Sequence, residues 1–203
     1  MLGFMQQYSA KILIAGVDEV GRGAWAGPIV AAAVILSKPI HGLADSKTLS
    51  KPKRELLSEQ IKLGAVAYAI SELSAAVIDE IGIAEANRLV MRRAIMALSI
   101  VPTLVRVDGF SCGIDLPEDV HIKGDALFAE ISAASIVAKV YRDQLMMNLD
   151  FSDARYGFAS HVGYGTAFHR AKLEEHGPSL YHRMSFEPMK SGSFYFPSPA
   201  GEG

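Results

Sequence analysis

Asp18 and Glu19 stand side by side at the end of an apolar run and are followed at once by Gly21-Arg22-Gly23. Carboxylate oxygens hold hard divalent cations such as Mg2+, and glycines let backbone N–H groups come close to a nucleic-acid backbone. Phosphate chemistry needs both. A lone acidic pair is more often a solvated strand end, but here the acid recurs. Asp108 closes the apolar stretch Leu104 to Val107, and Asp125 follows Val120 to Ile122 after Lys123-Gly124. In an open sheet, residues at corresponding strand ends converge on one crevice even when far apart in the chain. Carboxylates gathered in that way repel one another unless cations neutralise them. Two divalent ions roughly 3.5–4 Å apart are the established arrangement for in-line displacement at phosphorus. An all-oxygen donor set without nearby cysteine or histidine points to Mg2+ or Mn2+ rather than Zn2+. One geometric difficulty arises, because neighbours on a regular strand face opposite sides of the sheet. Glu19 is therefore expected to reach the site from the side, with the strand ending at the glycine turn.

Strands alternating with helices must carry these residues. Lys11 to Val17 is apolar and β-branched and reads as a buried strand, and Ile29 to Leu36 reads as a second. Ser50 is an N-cap candidate, with Pro52 in the first turn of a helix running to about Leu63 and stopped by Gly64. Ala65 to Ser71 resembles a third strand, and Ser74 caps a short helix to Ile81. Apolar residues recur at helical spacing from Ala84 to Leu98, with Arg88, Arg92 and Arg93 toward the polar side, until Pro102 breaks the pattern. A long helix is predicted from about Glu130 to Leu149. Its start, Ser132-Ala133-Ala134-Ser135, is small enough to sit close to a sheet. Thr166 to Glu175 is a further helix, ended by Gly177-Pro178. The alternation predicts an α/β fold with a mixed sheet. Residues 1–190 read as a single domain, and 191–203, rich in Gly, Ser and Pro, as a loose tail.

The chain has 203 residues, half of them hydrophobic, and a formal charge of -2, so any nucleic-acid contact must come from a local basic patch. Lys51, Lys53 and Arg54 form such a cluster, equally readable as a solvated helix face. Cys112 is the only cysteine, which excludes an intrachain disulfide and reads as a small half-buried residue. Met1 to Ala10 lacks the features of a signal peptide, and the longest apolar run, Ile29 to Leu36, is too short to span a bilayer. A cytoplasmic protein with no membrane partner is expected. No heptad or broad apolar stripe demands a dimer, so a monomer is expected. His161, His169, His176 and His182 lack the i, i+4 spacing of a helical metal site and read as surface or hydrogen-bonding residues. A zinc hydrolase built on them would bind zinc and survive Asp108→Asn. Arg142-Asp143 reads as a pair near the site or as a surface ion pair. Phe194-Tyr195-Phe196 lacks the context of a docking peptide, so a sliding-clamp contact has no support in the sequence.

Gly16-Val17-Asp18-Glu19-Val20-Gly21-Arg22-Gly23, with Ala26-Gly27-Pro28 after it, resembles the opening signature of ribonuclease HII, the type 2 ribonucleases H. The resemblance continues through Asp45-Ser46-Lys47, Val107-Asp108-Gly109, Lys123-Gly124-Asp125 and Ile131 to Val140. It ends with Tyr156-Gly157-Phe158, His161, Gly163-Tyr164 and His182-Arg183. It implies an RNase H-like fold, a five-stranded mixed sheet flanked by helices with a small C-terminal helical region. It also implies an endoribonuclease that cuts the RNA strand of RNA–DNA hybrids. The same family incises duplex DNA 5′ to a single embedded ribonucleotide, leaving a 3′-hydroxyl and a 5′-phosphate with two Mg2+ or Mn2+ ions. The family's metal-binding and catalytic acids fall on Asp18, Glu19, Asp108 and Asp125. Gly21, Arg22 and Gly23 would meet the ribonucleotide through backbone groups, and Tyr164 would sense the RNA–DNA junction.

These roles suit the chemistry. Only the 2′-hydroxyl tells RNA from DNA at one nucleotide, and a tyrosine both packs on the sugar and hydrogen-bonds through its OH. Arg22 and Lys47 are candidate phosphate contacts, which position a duplex without reading its sequence. Three positions depart from the family pattern: Ala24-Trp25, Ala129 and Gly165, where proline is common at the last two. Gly165 is expected to loosen Tyr164. Type 3 relatives carry glutamate at the position of Asp125. A catalytically silent hybrid-binding module is the competing class, and a lost carboxylate would be its mark.

Overall fold

The computed structural model describes residues 12–43 and 49–192. Lys47, and the tail from residue 193 with Phe194-Tyr195-Phe196, lie outside the described residues. The central strand is β1 (Ile14–Val20), flanked by β2 (Ile29–Leu36) and β4 (Leu104–Asp108). β3 (Ala65–Leu73) and β5 (Glu118–His121) form the two edges of the five-stranded sheet. β1–β2 and β2–β3 pair antiparallel, whereas β1–β4 and β4–β5 pair parallel, so the sheet is mixed.

β1 runs three residues past its expected end at Val17. Antiparallel bonding to β2 continues through Asp18↔Ala32, Glu19↔Ala31 and Val20↔Val30, which keeps both acids in extended backbone. At its start, parallel pairing begins with Ile14↔Leu104, and the Leu13 N–H is taken by Thr103 Oγ1 at 3.0 Å.

β2 is buried on both faces, and its alternation divides the interior in two. Ile29, Ala31, Ala33 and Ile35 join Ala15, Val17, Val105 and Val107 under α3 (Ile83–Met96). Val30, Ala32 and Val34 face α1 (Lys51–Gly64) and α4 (Ala129–Ser152) on the opposite side. α1 has Pro52 in its first turn, while Ser50 occupies the cap position with its carbonyl accepting from the Arg54 N–H and its side chain making no cap bond. The short α2 (Ala75–Ile81) starts on Ser74, whose side chain accepts from the Val77 N–H. A third apolar cluster, with Met146, Tyr156, Phe158 and Leu173, packs α5 (Phe158–His161) and α6 (Ala167–His176) against the end of α4. Cys112 is fully buried rather than half-buried, and burial pushes its thiol up to about 12. Among the described residues no helix is long and apolar enough to cross a membrane.

α4 lies directly across β1, and Gly16 sets the distance between them. A Cβ at Gly16 would lie 2.1 Å from the Glu130 carbonyl carbon and 2.3 Å from the Ile131 nitrogen. Backbone cannot yield there as a side chain does. Gly16→Ala is expected to cost about 1–3 kcal/mol or more, the range for overpacking a tight core. Urea unfolding should show a lower midpoint with an unchanged slope.

Candidate active site

Along β1, even-numbered residues face α4 and odd-numbered ones face α3, as Gly16 against Glu130 and Val17 in the α3 core show. Asp18 therefore meets Ser135 of α4, whose hydroxyl hydrogen-bonds its carboxylate. Glu19 turns the other way, toward the side chain of Asn87 on α3. The acids stay on opposite faces of a continuing strand, contrary to the expectation that the strand stops. Both nevertheless line one cavity of about 530 Å3, which opens across the strand end. Asp108 joins them, one step beyond the Val17↔Val107 pair of the parallel ladder. Its Oδ1 accepts from the Gly124 N–H at 2.8 Å.

Asp125 is placed differently. It is buried on the 3-10 turn Gly124–Ala126, immediately after the glycine that holds Asp108, and is not among the residues lining the cavity. Three of the four expected acids thus line the cavity, and the fourth follows directly on the glycine that holds Asp108. Val20, Gly21, Arg22 and Gly23 line the same space, as does Tyr164, which is 38% exposed. Gly21 has φ +88° and a Cβ there would lie 2.1 Å from Arg142 Nε, so only glycine fits.

The sequence left two wall residues, Ser135 and Lys139, without a role, and read Arg54 either as part of a nucleic-acid contact or as part of a solvated face. Arg54, one of the basic residues on the α1 face, turns into the cavity, and its guanidinium donates to the Leu49 carbonyl. Ser135 and Lys139, one helical turn apart on α4, complete that side, with Lys139 paired to Asp143. Their i, i+4 spacing in the small-residue stretch was the available signal. Asn87 gave no signal at all. It is 4% exposed and its Oδ1 has no hydrogen-bond partner. Arg22 also lies over the exposed ring of Phe110, 5.7 Å from its centroid.

Arg142 and Asp143 do not pair, which corrects both sequence readings of them. Arg142 is fully buried and donates to three carbonyls: Pro28 at 2.9 Å, Val162 at 2.9 Å and Ala26 at 3.2 Å. Arg183 does the same for the carbonyls of Gly27 and Arg22. Burial pushes Arg183 down to about 9, still above neutral pH, so it keeps its charge. The two guanidiniums fix the turn between β1 and β2 that carries Gly21 to Gly23.

The electrostatics favour a cation in the cavity. Burial holds the Asp18 carboxyl well above its ordinary range, and the charges of Glu19 and Asp108 add to that, against the hydrogen bond from Ser135. Burial also raises Glu19, with Asp108 adding and Arg22 opposing. A site that disfavours its own negative charge is stabilised by a divalent ion, and its oxygen donors suit a hard one. Among the described residues no three acidic, histidine or cysteine side chains already close on one point. Mg2+ characteristically takes one or two carboxylates and leaves the rest of its shell to waters and substrate phosphates.

A family model described as ribonuclease HII matches residues 15–189. The chain belongs to the ribonuclease HII family. The ribonuclease HII of Burkholderia pseudomallei (strain 668) is 48% identical over 181 residues, 88% of this chain and 85% of the relative. The ribonuclease H2 of Pyrococcus horikoshii OT3 superposes with a TM-score of 0.76 at 25% identity, covering 89% of this chain and 96% of that one. RNase HII of Archaeoglobus fulgidus, solved in complex with PCNA, gives 0.75 at 27% identity, covering 87% and 96%. Bst-RNase HIII in complex with Mn2+, at 19% identity and a TM-score of 0.67 over 88% and 68%, shares the fold alone. The RNase H-like architecture expected from the ribonuclease HII signature is therefore the one found. As a member of the ribonuclease HII family, this chain is a nuclease, a phosphodiester hydrolase acting on RNA–DNA hybrids.

Packing accounts for Gly165. A Cβ there would lie 2.2 Å from two atoms of the Trp25 indole. The two departures from the family pattern are one exchange, in which Trp25 fills the space that a larger residue at 165 would take. Gly165 thus makes room for the Trp25 ring, a packing role that the sequence did not suggest. Gly165→Pro is expected to displace Trp25 and cost about 1–3 kcal/mol. Trp25 is the only tryptophan, so its emission should shift to the red. Pairing the change with Trp25→Ala should recover most of the lost stability.

Proposed function

We propose that this cavity cuts the RNA strand of hybrids and incises duplex DNA 5′ to a single embedded ribonucleotide, leaving a 3′-hydroxyl and a 5′-phosphate. The observation that carries the reading is the shared wall: Asp18, Glu19 and Asp108 line the same space as Gly21 to Gly23 and Tyr164. Two Mg2+ or Mn2+ ions, held by these carboxylates together with Asp125, would supply the nucleophile's activation and the stabilisation of the leaving oxygen. Asp108 is oriented for this by the Gly124 N–H, and Asp18 by Ser135. Arg22, Arg54 and Lys139 offer positive charge to the phosphates on either side. Lys47 remains a proposed phosphate contact on the strength of the family motif alone. The backbone of the Gly21 to Gly23 turn bonds the 2′-hydroxyl, and the Tyr164 ring packs on the sugar next to it.

We place the catalytic unit in residues 1–190 of a cytoplasmic monomer. A sliding clamp is the first protein partner to test, because an archaeal relative was solved with PCNA. No observation favours zinc. Both ring nitrogens of His161, His169 and His182 are already hydrogen-bonded, and all three side chains are buried rather than on the surface.

The test is a labelled DNA duplex with one ribonucleotide, incubated with Mg2+ or Mn2+ beside an all-DNA control. A nick immediately 5′ to the ribonucleotide, and none in the control, is expected. Cutting only a long RNA–DNA hybrid would remove the roles given to Tyr164 and the glycine turn.

A further inference from the structure

Tyr164 reaches the cavity from an unusual piece of backbone. Val162, a β-branched residue, has φ +45°, in the left-handed region such residues rarely enter. Gly163 comes next at φ +84°. The Gly163 carbonyl accepts from Trp25 N–H at 2.8 Å, and Arg142 holds the Val162 carbonyl. Strained backbone of this kind persists only where its surroundings over-determine it.

Beneath this segment lies a polar chain that the hydrolytic chemistry does not use. His169 Nδ1 is 3.0 Å from the Tyr164 carbonyl, His169 Nε2 is 3.0 Å from His182 Nε2, and the Ser179 N–H points at His182 Nδ1 from 2.9 Å. Proton bookkeeping leaves one arrangement. The backbone N–H of Ser179 can only donate, so His182 Nδ1 accepts and its proton sits on Nε2. That N–H donates to His169 Nε2, which leaves the His169 proton on Nδ1, aimed at the Tyr164 carbonyl. Adding a proton to either ring sets two donors against each other, at Ser179 or between the rings. Burial pushes both imidazoles down to about 4, so both are neutral at pH 7, as the chain requires.

A core needing only volume would be filled by apolar side chains at lower desolvation cost. Here two buried imidazoles in opposite tautomers end on the backbone of a single residue whose ring forms the cavity wall. We propose that His169 and His182 are positioning residues, a tautomer-locked pair that sets the Tyr164 ring in the cavity and thereby the preference for an embedded ribonucleotide. The proposal rests on the role of Tyr164 under the proposed function. The pair touches neither substrate nor the carboxylates. It acts by removing the rotational freedom of the segment from Val162 to Thr166, whose turn is closed by Thr166 N–H on the same Tyr164 carbonyl.

Two measurements on the full chain test it. The first is long-range 1H–15N correlation of the imidazoles at pH 7. The expected spectrum shows His182 protonated on Nε2 and His169 on Nδ1; a shared tautomer, or a charged ring, overturns the pair. The second compares His169→Asn with His169→Phe. Asparagine keeps an N–H donor at the Nδ1 position, whereas phenylalanine keeps the ring and loses the donor. The readout is the ratio of kcat/KM on a single-ribonucleotide duplex to that on a long RNA–DNA hybrid. His169→Phe should lower this ratio about tenfold, the size of one buried hydrogen bond, and His169→Asn should restore it to near the wild-type value. Equal ratios in all three proteins, or an equal loss on both substrates, overturn the proposal. A wild-type protein without any single-ribonucleotide preference would instead remove the role of Tyr164, and the tautomer spectrum alone would then decide whether the pair is locked.

Discussion

Asp18→Asn is expected to abolish hydrolysis while raising the melting temperature of the metal-free protein. The loss of activity follows from the place of Asp18, between Ser135 and the carboxylates of Glu19 and Asp108 in one cavity. A metal ligand, the role proposed for Asp18, would be worth several kcal/mol of transition-state stabilisation, which at about 1.36 kcal/mol per decade corresponds to at least roughly a thousandfold in kcat/KM. The gain in stability follows from the same place. Asp18 is buried among like charges, and its folded-state pKa lies well above the ordinary 3.8. Below that ordinary value the group is protonated in both states and costs nothing. As pH rises from there through the folded-state value, the unfolded chain ionises first, and the native state loses stability relative to it. Glu19 is shifted in the same direction and adds to the slope. At neutral pH asparagine removes the Asp18 penalty while retaining an acceptor for Ser135. Each kcal/mol relieved should appear as about 2–4 °C for a chain of this size. Mg2+ should likewise raise the melting temperature of the native protein at neutral pH, by mass action, and progressively less on acidification. The Mg2+ response should be smaller in Asp18→Asn. A variant that neither gains stability nor loses its response to Mg2+ would remove Asp18 from the ion site.

Such a carboxylate cluster is legible in a sequence because each acid is fixed by its own strand. Asp18, Glu19 and Asp108 stand at the ends of apolar runs, and the parallel register of β1 and β4 brings them level. The strands and helices were legible for a related reason: their side chains alternate at period two or near 3.6, and burial tracks that alternation. Boundaries slipped where neighbours rather than propensity decide, as at Glu19, which β2 holds in the ladder beyond the expected end. What stayed hidden has a different physical basis. Arg142 and Arg183 bind carbonyls of remote segments, His169 and His182 bind backbone groups of turns three to five residues away, and a backbone group carries no residue identity to recognise. Asn87 meets Glu19 only because α3 crosses the opposite face of the sheet from α4. The exchange of Trp25 with Gly165 was visible as two oddities but not as one event, because 140 positions of chain separate them.

Arg142→Met is expected to have the largest effect on folding of any single change proposed for this chain. Methionine keeps much of the length and removes every donor. The carbonyls of Ala26, Pro28 and Val162 would then face a dry interior with one partner fewer each. At about 1–3 kcal/mol for each buried group left unsatisfied, the loss is on the order of 3–5 kcal/mol or more. That is a large share of the roughly 5–15 kcal/mol that holds a domain of this kind together. The urea midpoint should fall accordingly. Arg142→Lys separates the fork from the charge: one ammonium cannot span three carbonyls that a planar guanidinium meets from different directions. The lysine variant should fold, but with the β1–β2 turn and the Val162 segment no longer tied to each other. Since Gly21 lies on one side of Arg142 and the ring of Tyr164 lies 5.7 Å from its guanidinium on another, both walls of the cavity depend on this one side chain. Its kcat/KM should therefore drop about 10–100-fold with every carboxylate in place, the scale of losing a group that orients an active site. Arg183 holds the other end of the same turn through Gly27 and Arg22. The two arginine substitutions should accordingly combine with a coupling of about 0.5–3 kcal/mol rather than add. Strict additivity would mean that the turn is held by something other than this pair of buried cations.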